Sequence, residues 1–160
     1  MKRKSSIALR VILTVLSVLT VGFIFYNSSL NADQSSEHSG RLLEAINSIL
    51  RSMGFGAALN EHLIRKTAHF VEYFVLGLLL SGTWYAYTGC RKRTLIFAPL
   101  NGLLVAVCDE MIQTMSSGRS CEVADMALDF SAVLCASLLM TLILYIIEKK
   151  GTRKEGNGRE

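Results

Sequence analysis

Five carboxylates, a histidine, a tyrosine, a glutamine and two cations fall at spacings that could do chemistry. The stretch "KTAHFVEY" (66–73) supplies Lys66, His69, Glu72 and Tyr73. The stretch "DEMIQTMSSGRSCEVADMALD" (109–129) supplies Asp109, Glu110, Gln113, Arg119, Asp125 and Asp129. At about 100° per residue in a helix, Lys66, His69 and Tyr73 share one face. Asp109 and Gln113 share another, with Glu110 about a quarter-turn away, and Asp125 and Asp129 share a third. Paired carboxylates can serve as general acid and base, while Lys66 or Arg119 can stabilise an oxyanion or a phosphate. A divalent metal held by His69 and carboxylates is a further option. No HExxH, P-loop or nucleophile motif accompanies these groups. The sequence therefore assigns no catalytic residue, no metal and no cofactor, and it leans towards a binding role over an enzymatic one.

The elements that carry these groups are unusually apolar. Of 160 residues, 51% are hydrophobic and 19% charged, with a single proline. Apolar runs near 20 residues long match the roughly 30 Å of a bilayer core. They predict an all-α integral membrane protein with four transmembrane helices, at about 11–26, 67–87, 95–113 and 125–147. The first is expected to be an uncleaved anchor, because "NSSLNADQ" after it lacks a small-x-small cleavage site.

Loop charges set the orientation. Twelve basic residues flank the termini and the loop at 91–93, and five lie in the other two loops. The positive-inside rule then gives four spans with both termini cytoplasmic. Residues 1–150 form one transmembrane domain, and 151–160 form a basic cytoplasmic tail. The net charge of +4 does not suggest nucleic acid, since the basic residues sit in short clusters beside apolar runs. The four cysteines have no metal-ligand spacing and read as small buried hydrophobes.

In the first extracytoplasmic loop, Leu42, Leu43, Ile46, Ile49, Leu50 and Met53 recur at helical spacing. They predict a short amphipathic helix, capped by Ser39 and ended at Gly54 or Gly56. Asn60 is expected to cap the second long helix.

With this topology, the outer ends of the last three helices gather every polar residue named above. On each helix the polar face continues into small residues: Gly77; Gly102 and Ala106; Ala132 and Ala136. Small residues let membrane helices pack closely, so the polar faces should point into the bundle. Simpler roles exist for each group. Arg65 and Lys66 could snorkel, Asp125 could be an N-cap, and Tyr73 could belong to an interfacial belt. Arg119 could pair structurally with Asp109 or Asp125, and His69 could be a hydrogen-bonded bundle residue. These roles do not explain the excess of carboxylate over cation, which calls for shared protons, a bound cation or a cationic ligand. A proton or ion pathway is not favoured, because the inner halves of the spans hold no ionisable residue.

The two stretches resemble the signatures of the VanZ-like family, approximately K-x-x-H-x-x-x-Y followed by D-E-x-x-Q-x-x-x-x-x-R-x-x-x-x-x-D-x-x-x-[ND]. Lys66, His69, Tyr73, Asp109, Glu110, Gln113, Arg119, Asp125 and Asp129 fall in register. "FYNSSL" resembles the family's aromatic-Ser-Ser segment after the first span. Ala132 and Ala136 stand where members often carry glycine. The resemblance implies a small bacterial envelope protein associated with glycopeptide resistance of the teicoplanin type. The expected partners are the lipid bilayer, a lipoglycopeptide or cell-wall precursor, and a second copy in a homo-oligomer. An outer-facing acidic pocket would bind the amphiphile; the alternative is a membrane enzyme acting on an outer-leaflet lipid or wall intermediate.

Overall fold

A computed structural model describes residues 5–30, 60–116 and 122–157, together with positions 40, 43–44, 47–48 and 52. Among the described residues there are four long helices, α1 (Ile7–Ser29), α2 (Glu61–Thr88), α3 (Arg91–Met115) and α4 (Val123–Asn157), and no strand. Of these, three are long and apolar enough to cross a membrane: α1, α3 and the part of α4 from Val123 to Lys150. α2 is equally long but carries Lys66, His69 and Glu72. It packs against all three other helices, and that shielding is what lets it hold polar groups.

The helix ends follow from local chemistry. The Ser6 hydroxyl accepts from Leu9 N at 3.2 Å and starts α1. Asn60 Oδ1 accepts from Leu63 N at 2.7 Å, so the expected cap of α2 is present. α2 stops at Gly89, whose φ of 58° is the left-handed conformation that glycine tolerates without strain. The chain then reverses within two residues into α3. Pro99 lies inside α3 without ending it. α4 runs beyond the expected inner boundary at 147 to Asn157, so the backbone of 151–157 continues the helix. The amphipathic helix expected in the first loop, with Ser39, Gly54 and Gly56, falls largely outside the described residues.

Helices consecutive in the chain run antiparallel, so α2 and α4 run parallel: Lys66 meets Asp125 at their starts, and Tyr85 meets Glu148 further along. α2 and α3 each touch both α1 and α4, which leaves α1 and α4 on opposite sides. Apolar side chains cover the outside: Val18, Phe23, Val71, Leu104, Leu138 and Leu142 are all exposed. Polar groups lie within, including Ser17, Ser81, Thr94 and Ser137. Ser81 donates to Ser137 at 3.1 Å between α2 and α4. This inversion of the usual soluble pattern is what a hydrocarbon solvent requires.

Small residues set the helix spacing. A Cβ built on Gly77 would lie 2.8 Å from Ala136 Cβ and 2.9 Å from the Val133 backbone. One built on Gly102 would lie 2.5 Å from Val133 Cγ1. α2 and α3 therefore both close on Val133 of α4, and Ala98, Ala106, Ala132 and Ala136 are fully buried around that contact. The opposite end of the bundle is tied separately. Glu148 accepts from Tyr85 Oη at 2.8 Å and pairs with Arg91 Nε at 2.9 Å. Arg91 also lies over the Tyr145 ring, 5.0 Å from its centre.

Candidate functional site

The polar groups of three helices meet at the end of the bundle formed by the start of α2, the end of α3 and the start of α4. α1 closes this end, a contribution the chemistry-bearing motifs alone did not reveal. Asn27 Nδ2 donates to Glu72 Oε1 at 2.9 Å. Gln113 Nε2 donates to Ser28 Oγ at 3.4 Å and to Asp109 Oδ2 at 3.3 Å. Ser116 Oγ reaches the carbonyls of Ser28 and Ser29, both at 3.2 Å. The signal for Asn27 and Ser28 was present in "FYNSSL": three polar residues end an apolar run at the depth of the cluster.

On α2, Lys66 Nζ pairs with Asp125 Oδ1 at 2.6 Å, and both side chains are about one-third exposed. Lys66 precedes the apolar stretch 67–87, and its ammonium is held above the ordinary lysine range, first by the Asp125 hydrogen bond. Asp125 sits in the first turn of α4. Asp125 is thus not an N-cap; its carboxylate is committed to Lys66. The backbone of Glu122 occupies the cap position, since Asp125 N and Met126 N bond its carbonyl. Glu110 reaches across from α3 and accepts from Glu122 N at 3.1 Å. A carboxylate at a helix N-terminus meets unsatisfied N–H groups and the positive end of the helix dipole.

Deeper in, His69 Nδ1 stands 3.8 Å from Glu72 Oε2. Tyr73 is fully buried, which excludes the interfacial-belt role. Its hydroxyl and that of Ser28 lie beside the Asp109 carboxylate, although the Tyr73 hydroxyl does not meet hydrogen-bond geometry. Asp109, Glu110 and Asp129 are 0%, 1% and 2% exposed, so these carboxylates belong to the interior and not to a solvated rim. The charged neighbours that weigh most on Asp129 are all acidic: Asp109, Glu110, Asp125 and Glu72. One ligand atom each from His69, Asp109 and Asp129 lies within 4.8 Å of the other two. Of the ten residues the sequence singles out, nine are therefore placed at this end. The tenth, Arg119, lies outside the described residues.

An all-helical membrane protein with a buried, carboxylate-rich cluster at one end is the class these features define. The family model described as VanZ/LLP1 matches residues 13–145, and the chain belongs to that family. The match reaches into all four helices and covers both polar stretches. Membership points to a membrane protein linked to glycopeptide resistance. Comparison with curated proteins and with solved structures gives no match.

Proposed function

We propose that this chain is a four-span protein of the bacterial cytoplasmic membrane with both termini cytoplasmic. α2 would form the fourth span. The polar end would then face outwards and receive the cationic part of an amphiphilic ligand whose acyl tail stays in the outer leaflet. A lipoglycopeptide of the teicoplanin type or a cell-wall precursor has that chemistry, and binding it would contribute to resistance. The observation that carries the proposal is the convergence of the buried carboxylates of Asp109, Glu110 and Asp129, with Glu72 beside them, at one end of the bundle. Among the described residues, the one lysine near them is already engaged by Asp125. Burying several carboxylates together is costly, and a cationic group that reaches Asp109 and Asp129 relieves that cost.

The test is growth inhibition of a susceptible bacterium expressing the chain. Protection should be larger against an acyl-tailed glycopeptide than against a tailless one. Asp129→Asn and Arg119→Ala should remove it at unchanged membrane abundance. Equal protection against both antibiotics, or none, refutes the ligand. A reporter fused after residue 150 tests the topology: activity of a cytoplasmic reporter is expected, and activity of a periplasmic one overturns it.

A second function has one observation in its favour. The approach of His69 to Asp109 and Asp129 suits acid–base chemistry on an outer-leaflet lipid or wall intermediate.

A further inference from the structure

We infer that His69, Asp109 and Asp129 bind one divalent transition-metal cation, of the zinc or manganese class, between α2, α3 and α4. The inference does not rest on the glycopeptide ligand: either can hold without the other.

The geometry comes first. Ligand atoms roughly 2.0–2.2 Å from a zinc ion stand about 3–4 Å apart. One nitrogen of His69 and one oxygen each of Asp109 and Asp129 lie within 4.8 Å of one another. Small rotations about the carboxylate and imidazole side-chain bonds close that difference. The three residues come from three different helices, so the chain backbone does not force their approach. It is a product of the close helix packing on Val133.

Two further observations point to something absent from the protein atoms themselves. Asp109 is fully buried, yet its Oδ1 has no hydrogen-bond partner, while Oδ2 is held by Gln113. A buried carboxylate oxygen left unbonded is expensive, and a cation satisfies it. The second observation is charge. Asp109 and Asp129 are 0% and 2% exposed, and the described lysine at this end, Lys66, is bound to Asp125 at 2.6 Å. A doubly charged cation balances these two carboxylates.

Glu72 adds negative charge beside the His69 ring, 3.8 Å from Nδ1 and so beyond hydrogen-bond reach, and is itself fixed by Asn27 at 2.9 Å. Mixed imidazole and carboxylate donors suit zinc, manganese or iron better than calcium or magnesium, which prefer oxygen alone. Three protein ligands leave at least one coordination position for an oxygen of water or of a bound molecule. The sequence offers a metal held by His69 and carboxylates but does not pick out the carboxylates, because His69, Asp109 and Asp129 follow no local metal-ligand spacing.

The experiment uses the full chain purified in detergent. Elemental analysis is expected to find close to one zinc or manganese per chain after growth with the metal supplied. Stripping with a chelator and adding back zinc or manganese chloride at a hundredfold excess over Kd should raise Tm by roughly 5–10 °C. His69→Ala and Asp129→Asn should lose both the metal and the Tm response. Glu148→Gln, at the opposite end, should keep both. Asp109→Asn guards against a mere failure to fold: it neutralises a buried charge, so the stripped protein should be at least as stable as wild type while the response disappears. Wild type that holds no metal and shows no Tm response to either chloride overturns the site. So does metal retained equally by His69→Ala, Asp109→Asn and Asp129→Asn, which would place it elsewhere on the chain.

Discussion

Gly77→Ala is expected to destabilise the bundle, although alanine is the better helix former. The new Cβ would lie 2.8 Å from Ala136 Cβ and 2.9 Å from both Cα and the carbonyl oxygen of Val133. Relaxed carbon contacts lie about 3.5–4.0 Å apart, so α2 must retreat from α4 by roughly 0.6–1 Å. Two of the three obstacles are backbone atoms and cannot rotate away. A gap of this size forfeits about a quarter to a half of each contact well along the interface. Overpacking of this kind costs about 1–3 kcal/mol. The helix propensity of alanine over glycine returns at most about 1 kcal/mol. The net expectation is a loss of up to about 2 kcal/mol, read by reversible unfolding in mixed detergent.

Gly82→Ala is the internal control, because its Cβ would meet Leu13 at an ordinary 3.6 Å. It should be neutral or mildly stabilising. Adding Ala136→Gly to Gly77→Ala should restore part of the loss, since the Val133 backbone contacts persist. The loss should also reach the site. Tyr73 lies one turn from Gly77 on α2, and Asp129 lies one turn from Val133 on α4, so a wider α2–α4 gap separates His69 from Asp129. If Gly77→Ala proves as stable as Gly82→Ala, the close approach of α2 to α4 is wrong, and with it the proximity of the cluster.

Other substitutions separate structural from functional roles. Gly89→Ala places a side chain at φ 58° and should cost about 1–2 kcal/mol by thermal unfolding, with Gly89→Asn milder. A double-mutant cycle on Ser81→Ala and Ser137→Ala should return a coupling near 0.6 kcal/mol, the usual worth of an interhelical hydrogen bond in a membrane protein. Asn27→Ala leaves Glu72 without its amide donor and should cost about 1–3 kcal/mol, and Glu72→Gln in that background should recover stability; no recovery would mean the Asn27–Glu72 bond is not what holds α1 to α2. Lys66→Met should cost under about 1 kcal/mol because the Asp125 pair is partly solvated, so a loss of antibiotic protection at normal abundance there would mark Lys66 as a site residue.

Much of this protein is written in its sequence. Apolar runs of bilayer length predict three of the helices that meet the length and apolarity of a span, and Asn60 caps α2 as its position suggests. Helical periodicity also orders the faces correctly. Asp109, Ala106 and Gly102 are buried on one stripe of α3, and Asp129, Ala132 and Ala136 on one stripe of α4. Antiparallel alternation then brings the polar ends together. All of this is local information, since the period of a helix and the length of a run are properties of consecutive residues.

The tertiary structure decided which of those faces touch, and so the role of each polar group. Asp125 has the type and position of an N-cap, but Lys66 on a neighbouring helix claims its carboxylate, and Glu110 from α3 takes a place at the start of α4 instead. Tyr73 could sit at a lipid interface by composition, yet packing against α1, α3 and α4 buries it completely. Asn27 and Ser28 join the cluster only because α1 lies against both α2 and α3. The meeting of His69, Asp109 and Asp129 likewise depends on Gly77 and Gly102 allowing two helices to close on Val133. Periodicity fixes the direction a side chain takes from its own axis, but the distance across to another helix is set by how small the residues between the axes are.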